Sequence, residues 1–487
     1  MRSAYQVDTV RAAERTLMGT LPDGTLMRRA SAGLAAVCAS LLDPVYGARV
    51  TVLTGSGDNG GDALYAGAAL ARRGAVVTAV IATGTAHEAG TAALRQAGGR
   101  VSSEMPARDA DLIIDGLLGI GGRGGLREPF ATLAAQAERQ RQAHLGTTVV
   151  AVDLPSGIDA DTGVVDGAAV TADVTVTFGA VKPGLLIDPG ASHAGTVQLI
   201  DIGLGFDSPA AAQAPQREDI AALLPRPGAE SDKYRRGVVG LLAGSDRYAG
   251  AAVLATGGAI RGGAGMVRVV TEASAAQAVR ARWAEAVLTP ADDLAHAGRV
   301  QAWVAGPGMG ITDEAGARLE HVLGADVPVL VDADGLTLLA KLKDALARRT
   351  APTLITPHAG ELARVLADGT DAAAVEAHRL EHARRAAAEL GITVLLKGST
   401  TVVATPRGDD PVLVNPTGTA WLATAGSGDV LSGLAGSLLA QGLAPEQAAI
   451  AGAYLHGLAG RLAADGAPIG AFDLIAALPA AIRATTR

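Results

Sequence analysis

Residues 48–67 read ARVTVLTGSGDNGGDALYAG, and the fold turns on how this stretch is parsed. The run VTVLT is apolar or β-branched at every position, which suits a strand buried on both faces. The glycines at 55, 57, 60 and 61 give the backbone room for a tight turn, and the alanine-rich stretch that follows predicts a helix beginning near Asp62. A strand covered on both faces implies a parallel sheet with helical crossovers.

The same strand–loop–helix unit recurs outward. Two helices are expected within residues 7–42, followed by strands in AVVTAVIA (75–82), DLIIDGLLG (111–119), TTVVAVDLPSG (147–157), DVTVTFGA (173–180) and GTVQLIDIG (195–203). Together they predict a Rossmann-like three-layer αβα sandwich. Residues 204–218, LGFDSPAAAQAPQRE, lose all periodicity and read as a linker. The expected organisation is a domain over 1–210, a linker over 211–218 and a second domain over 219–487. A second α/β series fills the latter: VVGLLAG (238–244), MVRVVT (266–271), VQAWVAGPGMG (300–310), VPVLVDADG (327–335), TLITPHAGE (353–361), ITVLLKGST (392–400) and TVVAT (401–405). The two halves share a class but not their loops, so the chain is not an internal duplication.

Composition narrows the function. The 487 residues exceed one ordinary core. Apolar residues make up 49% but aromatics only 3%, so the cores must be built from Ala, Val, Leu and Ile. A net charge of −8 argues against a sequence-independent grip on nucleic acid or an anionic membrane. Small anions remain possible ligands, because backbone amides bind them without net charge. The single cysteine, Cys38, rules out internal disulfides and suits a reducing cytoplasm, where the absence of a long apolar run also places the protein.

In parallel sheets ligands bind beyond the carboxyl ends of the strands, where GSGDNGGD, DGLLGIGGRG and DLPSGID all fall. The first loop has neither the Rossmann fingerprint spacing nor a Walker lysine. Asn59, Asp115 and Ser156 sit at three strand ends. They read either as hard oxygen ligands for a cation beside a phosphate or, for Asn59 and Asp115, as turn caps. Asp153 has the placement of a catalytic carboxylate. Lys182, in FGAVKPG, is either a second acid–base or phosphate-binding group or an exposed turn residue.

GSGD returns in TAGSGDVLSGLAG (424–436). Here the amides of 425–429 precede a helix and form an anion hole. Asp429 is then either a helix cap or a base toward a hydroxyl aimed at the bound anion.

With these motifs in hand, residues 1–203 resemble the NAD(P)H-hydrate epimerase family. Residues 219–485 resemble the ADP-dependent NAD(P)H-hydrate dehydratase family of ribokinase-like fold, through AGPGMG, DADGLTLL, TPHAGELARVL, VLLKGSTT and NPTGTAWLATAGSGDVLSG. The first family's loop usually reads NNGGDG, so Asp58 and Ala63 are departures, as is Ala359 where the second commonly has proline. The first resemblance implies hydrate contacts at Asp58, Asn59, Gly60, Gly61 and Asp62, at Gly119, Ile120, Gly121, Gly122, Arg123, Gly124 and Gly125, and at Asp153, with potassium at Asn59, Asp115 and Ser156. The second implies hydrate contacts at Ala252, Gly308, His358 and Asp429 and adenine-nucleotide contacts at Lys397, Gly398, Ser399, Thr400, Thr401 and Gly428. Taken alone, His358 would read as a structural histidine.

The implied function is repair of damaged nicotinamide cofactors. One site interconverts the R and S epimers of NADHX or NADPHX. The other dehydrates the S epimer using ADP, with Mg²⁺ bridging the nucleotide phosphates, and releases AMP and phosphate. A homo-oligomer is expected. The rival reading is a ribokinase-like kinase of a vitamin precursor carrying a non-catalytic N-terminal domain.

Overall fold

The computed structural model describes residues 1–143 and 146–487. The chain divides into two compact units, Ser3–Ala212 and Gln213–Arg487, the latter joined by Met1–Arg2.

In the first unit seven strands form one parallel sheet. Its order is Arg100–Ser102, Val76–Val80, Arg49–Thr54, Leu112–Gly116, Thr148–Val152, Val174–Phe178 and Thr196–Ile200. The sequence order reverses between Arg49–Thr54 and Leu112–Gly116, which pair from Val50–Leu112 to Thr54–Gly116. That switch point opens a crevice beyond the strand ends. One apolar layer packs Leu34, Leu64 and Leu70 against Val50, Val52 and Ile114; the other packs Leu133 and Ala137 against Ile113 and Val149.

The helix after Arg49–Thr54 spans Asp58–Arg72, with Gly57 as its N-cap residue. It starts four residues earlier than the glycines suggest. The reason is close approach rather than turning: a Cβ on Gly60 would lie 2.2 Å from the Gly55 carbonyl oxygen, and one on Gly61 would lie 3.0 Å from the His87 ring. The glycines let the first helical turn nestle against its own loop.

The second unit is also a mainly parallel sheet. From Thr393–Leu396 the parallel strands run through Thr353–Ile355, Val329–Val331, Ala302–Ala305, Val238–Leu242 and Met266–Thr271 to Val287–Pro290. Val402–Ala404 and Val412–Val414 continue the sheet in antiparallel pairing. The helices Ala249–Arg261 and Ser427–Ala440 cross at backbone contact. A Cβ on Gly433 would lie 1.9 Å from the Ala255 carbonyl oxygen, and one on Gly258 would lie 2.2 Å from that of Val430.

The linker expectation for 211–218 needs correction. Ala212–Ala214 form a strand and Arg217–Leu223 a helix. Ala212 and Ala214 are buried, and Gln216 and Asp219 close a reciprocal capping box at the helix start. Alanine and glutamine carried no apolar period, but burial and the cap order them. Among the described residues no helix is long and apolar enough to cross a membrane.

Candidate functional site

Each unit carries one polar constellation at the carboxyl ends of its strands. In the first, a 480 Å³ cavity is bordered by Asp58, Asn59, Asp62, Gly119, Ile120, Gly121, Gly122 and Asp153. The loops meet because their backbones touch: a Cβ on Gly55 would lie 1.9 Å from the Leu117 carbonyl oxygen, and one on Gly119 would lie 3.1 Å from Asn59. A Cβ on Gly116 would lie 2.5 Å from that of Ala63, so the departure at 63 is accommodated because 116 is glycine.

Asp153 follows its strand with φ 67°, a left-handed conformation that re-aims its side chain. Its Oδ1 accepts hydrogen bonds from Thr177 Oγ1 (3.1 Å), Phe178 N (3.2 Å) and Lys182 Nζ (2.5 Å). Lys182 is only 1% exposed, so it is not a solvent-facing turn residue; its ammonium also donates to Thr177 Oγ1 and the Phe178 carbonyl. The two form a buried, oriented ion pair.

Asn59, Asp115 and Ser156 also converge. Ser156 donates to Asp115 through its amide (2.8 Å) and hydroxyl (2.7 Å), and the hydroxyl accepts the Leu118 amide (2.9 Å). Asn59 Nδ2 donates to the Leu118 carbonyl (3.1 Å). Burial raises the fully enclosed Asp115 carboxyl to about 6 against these hydrogen bonds, all from neutral donors. Asp62 is lifted further, to about 8, first by burial and then by Asp153, Asp58 and Glu14.

Some expected contacts lie elsewhere. Gly60 and Gly61 are buried within the helix, and Arg123 and Gly124 are exposed beyond the cavity. Gly125 instead packs on the 166–167 backbone, where a Cβ would lie 2.1 Å from the Asp166 carbonyl oxygen. Glu14, on the helix Val7–Met18, borders the cavity and was not foreseen. No strand-end motif marks it, because it reaches the site from outside the sheet.

In the second unit a 570 Å³ cavity is bordered by His358, Lys397, Gly398, Ser399, Thr401 and Gly428, together with His456. Asp429 lies in the first turn of Ser427–Ala440, after a left-handed Gly426 at the N-cap. Lys397 Nζ lies 2.6 Å from Asp332 Oδ1 and 3.6 Å from Glu361 Oε2; it would lie 3.6 Å from a Cβ on Gly428, so the ammonium stands beside the helix N-terminus. Burial opposes that charge, but Asp332 and Glu361 outweigh it and hold the pKa above the usual lysine value. Asp429 is pushed up to about 7, first by burial and then by Asp332, with Lys397 opposing.

Other side chains hold these groups in place. Arg379, 1% exposed and ion-paired with Glu376, donates to the carbonyls of Lys397 (2.8 Å) and Thr400 (3.0 Å) and thereby staples the KGST loop. His456 Nε2 meets the Ser427 carbonyl at 2.9 Å, and burial drives the imidazole down to about 4, so it is neutral and donates this bond. His358 is both cap and wall: its Nδ1 accepts the Gly360 amide (3.1 Å), while its ring borders the cavity. Gly308 sits in a φ +60° turn against Tyr248, and Ala252 is fully buried behind Gly244. Asp332, Glu361 and Ser432, which donates to Asp332 Oδ2 at 2.5 Å, were missed as site residues. For Asp332 the signal was present, since DADG ends a strand as DLPSG does.

Comparison with known proteins bears on the whole chain. The family described as NAD(P)H-hydrate dehydratase matches residues 239–479, and that described as YjeF-related protein N-terminus matches 23–184. The bifunctional NAD(P)H-hydrate repair enzyme Nnr of Mycobacterium tuberculosis is 48% identical over 465 residues, covering 92% of this chain and 91% of its own. That of Mycobacterium leprae is 48% identical over 477 residues, covering 96% of each. Among solved structures, the ADP/ATP-dependent NAD(P)H-hydrate dehydratase of Bacillus subtilis, co-crystallised with ATP/Mg²⁺, is similar with a TM-score of 0.51 at 33% identity over 55% of this chain and 97% of that one. A ribokinase-like superfamily protein of Enterococcus faecalis gives 0.51 at 26% identity, over 58% of this chain and 98% of that one. With both halves matched in order and near-half identity along almost the full length, the chain belongs to the bifunctional NAD(P)H-hydrate repair enzymes.

Proposed function

We propose that the protein repairs hydrated nicotinamide cofactors in two steps, epimer exchange of NADHX and NADPHX in the first unit and ADP-dependent dehydration of the S epimer in the second. The observation that carries the reading is the position of Asp429: a carboxyl raised to about 7, in the first turn of a helix whose N-terminus borders a cavity with Lys397 and the KGST loop.

At neutral pH hydroxide is a poor leaving group from C6, and phosphorylation converts it into a good one. Asp429 takes the proton of the C6 hydroxyl as its oxygen attacks the terminal phosphorus of ADP and AMP departs. The amides at the start of Ser427–Ala440 and the Lys397 ammonium offset charge on the transferring group. Phosphate then leaves C6, driven by the ring nitrogen, and loss of the C5 proton restores the dihydronicotinamide. Asp332 and Glu361, the carboxylates beside Lys397, are the residues that would hold Mg²⁺. Bound there, it would neutralise phosphate charge.

In the first unit Asp153, held by Lys182, is the proton-transfer group. Asn59, Asp115 and Ser156 would hold potassium: Asp115 is a buried carboxylate whose hydrogen-bond donors are all neutral, a setting that a monovalent cation completes. The ion would supply fixed positive charge beside the substrate phosphates. Cys38, the only cysteine, is buried and free, as suits a cytoplasmic protein.

The test is incubation of NADHX with protein, ADP and Mg²⁺. Reduced nicotinamide should appear with equal amounts of AMP and phosphate. Accumulation of a stable phosphorylated product would instead support a kinase.

A further inference from the structure

The first unit's cavity adjoins a second, of 490 Å³, and Asp62 borders both. Asp62 stands one turn into the helix Asp58–Arg72 and is 9% exposed; its Oδ1 is sealed from solvent and receives no hydrogen bond. The neighbouring buried carboxylates differ. Asp153 holds Lys182, and Asp115 accepts three hydrogen bonds.

A buried carboxylate without a donor or a cation is costly to ionise, and the surrounding charges add to the cost. Glu14 from the helix Val7–Met18, Asp58 from its own helix and Asp153 beyond the sheet all raise its pKa, to about 8. Arg11, Asp23, Tyr65 and His87 complete the ionisable groups bordering the two cavities. One carboxyl is thus kept protonated at neutral pH in the same cavity as another that is ion-paired. Environments that differ in this way separate an acid from a base.

We propose that Asp62 is the proton donor of epimer exchange, protonating the C6 oxygen of the hydrated nicotinamide, while Asp153, held by Lys182, receives the proton of the water that adds back. This rests on the reading of the first cleft as the epimerase site. The Asp62 proton passes to the C6 oxygen, the C6–O bond breaks with its electron pair leaving on water, and the ring-nitrogen lone pair closes an N1–C6 double bond. Water then adds to the other face of the planar C6, the π pair returns to N1, and the added water gives its proton to Asp153. Transfer through cleft water from Asp153 to Asp62 restores the starting state.

The test follows R-to-S exchange above the uncatalysed rate by chromatography, in wild type and Asp62→Asn, from pH 6 to 9.5. Wild-type exchange should fall as pH rises through about 8, because the acid is lost. D62N should exchange about 10²–10⁴-fold more slowly, with no limb near pH 8, while dehydrating isolated S epimer with ADP as wild type does. Exchange by D62N within threefold of wild type, or an unchanged alkaline limb, overturns the assignment of Asp62. An absence of exchange in wild type overturns the epimerase reading itself. The wild-type profile tests the idea without any substitution, and a profile flat through pH 8 would contradict it.

Discussion

Asp429 and Asp62 are both carboxyls held high by burial, and the sign of their pH effects separates their roles. Asp429 as a base must be ionised, so dehydration should rise with pH and level off above about 7. Asp429→Asn keeps a side chain of the same shape and should cut AMP release about 10²–10⁴-fold while ADP still binds, as measured by single-turnover kinetics and calorimetry. Asp62 should also leave a mark on stability. Its folded pKa of about 8 exceeds the ordinary carboxylate value of about 4, so its stabilising contribution is complete below about pH 4 and is lost as pH rises to about 8. D62N should therefore melt at a higher temperature than wild type at pH 9 and nearly equally at pH 4.5. At this scale Asp115 and Asp153 stood out as carboxylates ending apolar strands, and Asp429 as the acid of a glycine-rich turn that opens a helix. The burial of Lys182 was not, since Lys-Pro-Gly resembles a surface turn and only the Asp153 contact reveals otherwise.

At the scale of elements, glycine marks backbone contact as often as turning. Gly60 and Gly61 suggested loop but are helical, and Gly258 and Gly433 seat two helices at a distance no side chain permits. Gly433→Ala would place its Cβ 1.9 Å from a carbonyl oxygen and force the helices apart. It should cost about 1–3 kcal/mol in denaturant unfolding of the second unit and displace Asp429, lowering dehydration as well. The long β-branched strands were readable from sequence. The strands Arg100–Ser102, Val287–Pro290 and Val412–Val414 were not read, although strands as short, such as Val402–Ala404, were. Ala212–Ala214 was hidden because its alternation of alanine and glutamine looks like a linker until the alanines are buried.

On the proposed function the whole molecule holds two sites with one activity each, and the first feeds the second. A dehydration site shaped for one configuration at C6 strands the other epimer unless it is converted. The order of motifs along the chain conveyed this division, whereas the support around each site came from side chains distant in sequence, such as Glu14, Arg379 and His456. The most direct measurement is the end point of NADH recovery from a mixture of R and S NADHX supplied with excess ADP and Mg²⁺. Wild type should recover the whole mixture. Asp153→Asn should recover the S share at the wild-type rate and then advance only as fast as uncatalysed epimerisation. Complete recovery by D153N at the wild-type rate, or no recovery from a folded protein, would contradict the division of labour.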